Sequence, residues 1–258
     1  MSPYISYLYG LIIIAGLELS LFKPNFFWLA ALLILFFNTF FVWLATRSRF
    51  NMNFWNYLIS PFLFLLSGLM FLAFSGKWLD NVAINWIIYE LIVLFLVAAN
   101  TIFLYRLVIY SYHKYKYKEH SLSTISRIIN ITSIFFWYTS IFNFQVFLKI
   151  PIWSLTVASA LVTGLIIYQF FSISKIKFST SKIFTLISSG LLLELFYILT
   201  WLPVLSIVKG ILITSAYYFI TSLCRHYIQA TLARTVWLRY SLVTGMIWLI
   251  TLLTARWE

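Results

Sequence analysis

IFTLISSGLLLELFYILTWLPVLSIVKGILITSAYYFITSL, residues 183–223, is a run of 41 positions that carries only two charges, Glu194 and Lys209. A bilayer core takes about 20 apolar helical residues per crossing. The run is therefore too long for one crossing and right for two, joined by a tight turn at Leu202-Pro203-Val204. Apolar runs of similar length follow one another from residue 4 to residue 253. They are continuous rather than alternating, so they read as helices and not as barrel strands. Hydrophobic residues make up 63% of the chain and charged residues 9%, and mean hydropathy is +0.96, which leaves no room for a soluble domain.

The sequence thus predicts an all-α fold. It is a polytopic transmembrane helical bundle of nine spans, with eight as the alternative, forming one integral membrane domain over residues 1–258. The spans are 4–21, 26–45, 54–74, 82–105, 125–147, 152–171, 183–201, 204–223 and 236–253. The first lacks a basic leader and a small-residue cleavage site, and reads as a retained helix rather than a signal peptide.

Charge sets the orientation. The connections after spans two, four, six and eight hold thirteen of the eighteen Lys and Arg residues; the odd connections and the C-terminus hold five. Basic loops stay cytoplasmic. The N-terminus is then expected inside and the C-terminus outside, in a bacterial-type cytoplasmic membrane. Three outer connections are short and carry proline: Lys23-Pro24-Asn25, Lys149-Ile150-Pro151 and Leu202-Pro203-Val204. Proline breaks one helix before the next begins. The chain reads as four helical hairpins with tight outer turns plus a final helix. Phe37-Asn38-Thr39, Ala99-Asn100-Thr101 and Thr163 recur every 62 residues, a faint sign of duplicated hairpins.

The net charge of +12 raises nucleic-acid binding as a class, but topogenic lysines explain it, and no nucleic-acid partner is expected. Lys114, Lys116 and Lys118 alternate with tyrosines between Tyr112 and His120. That pattern suits anionic phospholipid at the cytoplasmic face of the bilayer. The lone cysteine, Cys224, excludes an internal disulfide and reads as an incidental thiol in an inner loop with Arg225 and His226. The three histidines fall outside the spans, so neither a metal site, haem nor any other cofactor is expected. No P-loop, dinucleotide fingerprint or hydrolase motif is present.

Three of the six acids, Glu18, Glu90 and Glu194, fall within spans, where a carboxylate is costly and marks a candidate site. All three map to the outer half of the bilayer. Lys209 begins the helix paired with the one carrying Glu194, and Tyr197 lies one turn beyond Glu194. The expected substrate-binding candidates are therefore Glu90, Glu194, Lys209, Tyr197 and Glu18, in an outward-facing site. Glu194 and Lys209 are expected to approach directly or through one water. Asn38 and Asn100 read as interhelical hydrogen-bonding groups. Ser188, Ser189 and Gly190, and the series Thr156, Ala160, Gly164, read as small faces for close helix approach.

Three functions fit these residues. The first is binding or transport of a small or lipid-like substrate taken from the outer side. The second is a non-catalytic membrane subunit or scaffold with membrane-protein partners. The third is an intramembrane enzyme acting on lipid-linked substrates, which has the least support.

Overall fold

The computed structural model describes residues 4–22, 27–47, 52–75, 82–113, 115, 121–174, 176 and 178–257. Among them are nine helices: α1 (Ile5–Phe22), α2 (Phe27–Ala45), α3 (Met52–Ser75), α4 (Val82–Tyr112), α5 (Ser121–Leu148), α6 (Ile152–Ile173), α7 (Phe178–Thr200), α8 (Ser206–Ile228) and α9 (Arg234–Thr254). Each coincides with one expected span. Eight are long and apolar enough to cross a membrane, and the described apolar part of the ninth, α1, is shorter. The exposed tryptophans among the described residues, Trp28, Trp55, Trp86, Trp153, Trp201, Trp237 and Trp257, all stand at or near helix ends, the place where an indole suits the headgroup region.

The chain divides into two compact units, Met1–Asn130 and Ile131–Glu258, with the division inside α5. In the first unit α1 packs on α2 and α4, α2 on α3, and α3 on α4. Polar bonds join these helices at depth. The Tyr9 hydroxyl donates to Asn38 Oδ1 at 2.6 Å, and Ser60 on α3 donates to Asn130 on α5 at 2.7 Å. Pro61 follows Ser60 inside α3, a position passed over in the sequence, where its ring leaves the Tyr57 carbonyl without its helical donor. At one end of this unit two helix C-termini clasp each other. Arg47 donates through Nε and Nη2 to the Ser111 carbonyl at 3.1 and 2.5 Å, and Tyr112 donates to the Leu44 carbonyl at 3.0 Å. A cation at the open carbonyls of a helix end is favourable.

In the second unit α6 packs on α7, α7 on α8, and α8 on α9. The later part of α5 is buried almost all round from Ser133 to Asn143. It meets α6 through Tyr138 and Thr163, whose hydroxyls are 2.9 Å apart, and α7 through the Phe142 and Phe196 rings at 5.2 Å. It meets α8 where Thr139 presses on Gly210, a place with no room for a Cβ. Lys149 adopts the left-handed conformation (φ 51°) after α5, and Pro151 caps α6, so the turn at 149–151 forms as expected. The turn around Pro203 also forms. Val204 within it pairs with Trp257, which places the end of the chain beside the α7–α8 turn. In α9 no residue is buried.

Two expectations need correction. Cys224, Arg225 and His226 are not in a loop: α8 continues through them to Ile228. Gly164 and Gly190 do not bring helices close, since a Cβ at either would meet nothing. Close approach is made instead by Gly10, Gly16, Gly68 and Gly210.

Candidate functional site

The five candidate residues divide between the units. Glu18 and Glu90 belong to the first, and Glu194, Tyr197 and Lys209 to the second. Glu18 is half-buried near the end of α1, and Glu90 is exposed on α4. Glu194 and Tyr197 are exposed on α7, and the Tyr197 ring stacks edge-on against Trp201 at 6.4 Å. Lys209 is buried in the first turn of α8, its Nζ 5.3 Å above the Phe142 ring. That placement offers the ammonium a π face within an apolar setting. No ion pair joins Glu194 to Lys209 among the described residues, because Glu194 stands on the outer surface of α7 while Lys209 turns inward toward α5. Lys114, Lys116 and Lys118 lie outside the described residues. Among the described residues no three His, Cys, Asp or Glu side chains converge as metal ligands would.

One concave feature among the described residues was not among the expectations. It is a groove of about 450 Å³ between α1 and α4, walled by Tyr7, Leu11 and Ile14 on one side and Leu94, Ala98 and Ile102 on the other. Its floor is Gly10, Val97 and Thr101. Gly10 makes this possible: a Cβ there would stand 2.6 Å from Thr101 Oγ1, so only glycine lets the two helices meet so closely. The Thr101 hydroxyl oxygen is buried and has no hydrogen-bond partner among the described residues. The volume lies within the range of small-molecule sites, roughly 300–1,000 Å³.

The two helices run antiparallel past each other. Three contacts fix the register: the Tyr7 and Tyr105 rings at 6.4 Å, Gly10 against Thr101, and the Tyr89 hydroxyl donating to the Leu17 carbonyl at 3.5 Å. Glu18 and Glu90 are the next residues after Leu17 and Tyr89, so they share one level. Both lie just beyond the groove lining, on the helix rows that wall it. Glu18 continues the row Tyr7, Leu11, Ile14 at helical spacing, and Glu90 begins the row that continues through Leu94, Val97 and Thr101. The apolar slot therefore has two carboxylates in line about one turn beyond one end, and two tyrosines at the other. Its signal was present in the sequence as the spacing 7–11–14–18 and 90–94–97–101. It was not usable there, because nothing in the sequence says that α1 lies against α4.

Among the other polar residues, Asn38 bonds across helices as expected. Asn100 instead donates within its own helix, to the Leu96 carbonyl at 2.9 Å. His226 is held by Thr231, at 2.9 Å from its Nδ1, and approached by Tyr240 at 3.5 Å.

No family model, curated protein or solved structure matches this chain.

Proposed function

We propose that this chain is a multi-pass membrane protein that binds a lipid-like molecule, with one alkyl chain of the ligand in the α1–α4 groove. The observation that carries this reading is the groove itself. It is apolar, it opens on a surface of exposed leucines and isoleucines, and a bound chain would bury them. With the N-terminus inside, as the basic connections imply, the carboxylate end of the groove belongs to the outer half of the bilayer, and entry is from the outer leaflet. A photoactivatable twelve-carbon alcohol, incorporated into vesicles holding the protein, tests this. Adducts are expected to concentrate on α1 and α4 around the groove and to fall severalfold when Ala98→Trp fills it. Adducts spread evenly over all exposed helix faces, α9 included, would contradict it.

A second reading, a membrane subunit with a protein partner, is favoured by α7. Ile187, Leu191, Glu194, Ile198 and Trp201 are exposed along one stripe spaced four, three, four and three residues apart. That is the spacing of a helix–helix seam. A carboxylate in the middle of such a stripe is costly against lipid and less so against a partner helix that bonds it. With Cys224→Ser as background, a cysteine at Ile198 is expected to cross-link to another membrane chain in native membranes. A product that stays at monomer mass under oxidising conditions would remove this reading.

A further inference from the structure

The groove restricts the chemistry of its occupant more tightly than its apolar walls alone. We infer that the ligand is a single-chain amphiphile of the membrane with a protonated amine headgroup, its ammonium set between Glu18 and Glu90. This rests on the reading of the groove as a lipid site and specifies the class of molecule it takes.

Three observations converge. The first is charge complementarity. Two like-charged side chains stand at one level on neighbouring helices, and no hydrogen bond or ion pair is made by either among the described residues. In a medium of low dielectric, two carboxylates side by side repel, and a cation between them turns the repulsion into attraction. An anionic or neutral headgroup gains nothing there. The second is alignment. The carboxylates stand in the same helical rows as the groove walls, so a molecule with its head between them has its chain directed along the slot. The third is length. From Glu18 to Tyr7 is eleven residues of α1, or about 16 Å at 1.5 Å per residue. That is the reach of roughly a dozen carbon–carbon bonds. The Tyr7 and Tyr105 rings, 6.4 Å apart, stand at the far end. The Gly10–Thr101 contact narrows the floor there, so one chain fits more readily than two.

A phospholipid with a choline head places a phosphate before its cation, and that phosphate would meet the carboxylates first. A simple alkylamine has no such conflict. The amine acts as a three-proton donor that can bond both carboxylates at once.

The test uses the full chain in phosphatidylcholine vesicles, with the photoactivatable alcohol as reporter and three unlabelled competitors of equal length: dodecylamine, dodecanol and dodecanoate. Dodecylamine is expected to suppress groove adducts at concentrations at least tenfold lower than dodecanol, with dodecanoate the weakest. The Glu18→Gln, Glu90→Gln double variant keeps side-chain size and is expected to bring the amine and the alcohol to parity while the reporter still binds. If amine and alcohol compete equally in the unaltered protein, or if the double variant keeps the preference, the headgroup assignment is wrong and the groove reading stands. If no reporter adduct forms on α1 or α4, both fail together.

Discussion

Single residues that hold turns in this chain are placed by backbone geometry rather than by sidedness of charge. Ala230 is the clearest. It follows α8 in the left-handed conformation (φ 54°), its N–H donates to the Tyr227 carbonyl at 3.0 Å, and the Thr231 N–H donates to the His226 carbonyl at 2.9 Å. These are the paired bonds that close a helix C-terminus, normally around glycine. An alanine there bears a left-handed cost of about 1–2 kcal/mol, of which glycine would return part, since its unfolded chain is freer by about 0.5–1 kcal/mol. Ala230→Gly is therefore expected to stabilise the protein by about 0.5–1 kcal/mol, seen as a rise in Tm in detergent. An unchanged or lower Tm would mean the turn differs from this one. Such a position is invisible in the sequence, where Ala230 sits among ordinary polar neighbours. Glu194 and Lys209 show the same limit from the other side. Their depths could be counted from the Pro203 turn, but their azimuths could not. Depth follows from 1.5 Å per residue, whereas facing depends on which neighbour a helix chooses. Lys209 chose Phe142 on α5, a helix more than 60 positions earlier.

Helices were legible because their cause is local. A run of about 20 apolar residues must be helical in lipid to satisfy its own backbone, and all nine expected spans became helices. Their ends were less legible. α4 runs on to Tyr112 past Arg106, and α8 to Ile228 through Arg225 and His226, because charge marks where hydrocarbon stops and not where hydrogen bonding stops. Long basic side chains reach the interface from inside a helix. The hairpin pattern also has a physical echo. In α1–α2 the Tyr9 hydroxyl bonds Asn38, and in α5–α6 the Tyr138 hydroxyl bonds Thr163. Asn38 adjoins Thr39, which with Thr101 and Thr163 sets the 62-residue spacing, so the two bonds are one register position apart. The groove, by contrast, needs α1 beside α4. That pairing joins the first hairpin to the second and has no local signature.

At the scale of the whole chain, the proposals about access and ligand depend on which side of the membrane each connection faces. Nine helices that each crossed once would place the connections on opposite sides in turn, and within the second unit the Val204–Trp257 pairing puts the end of the chain at the level of the α7–α8 turn. The proposed direction rests on the excess of Lys and Arg in the even connections, since basic segments tend to be retained in the cytoplasm. The most direct measurement is thiol labelling in right-side-out vesicles, with Cys224→Ser as background and single cysteines at Ile150, Ala230 and Ala255. A membrane-impermeant maleimide is expected to label Ile150→Cys and Ala255→Cys at once, and Ala230→Cys only after permeabilisation. Labelling of Ala230→Cys from outside, or protection of Ala255→Cys together with it, would contradict the nine-span arrangement and move the carboxylate end of the groove to the inner half of the bilayer.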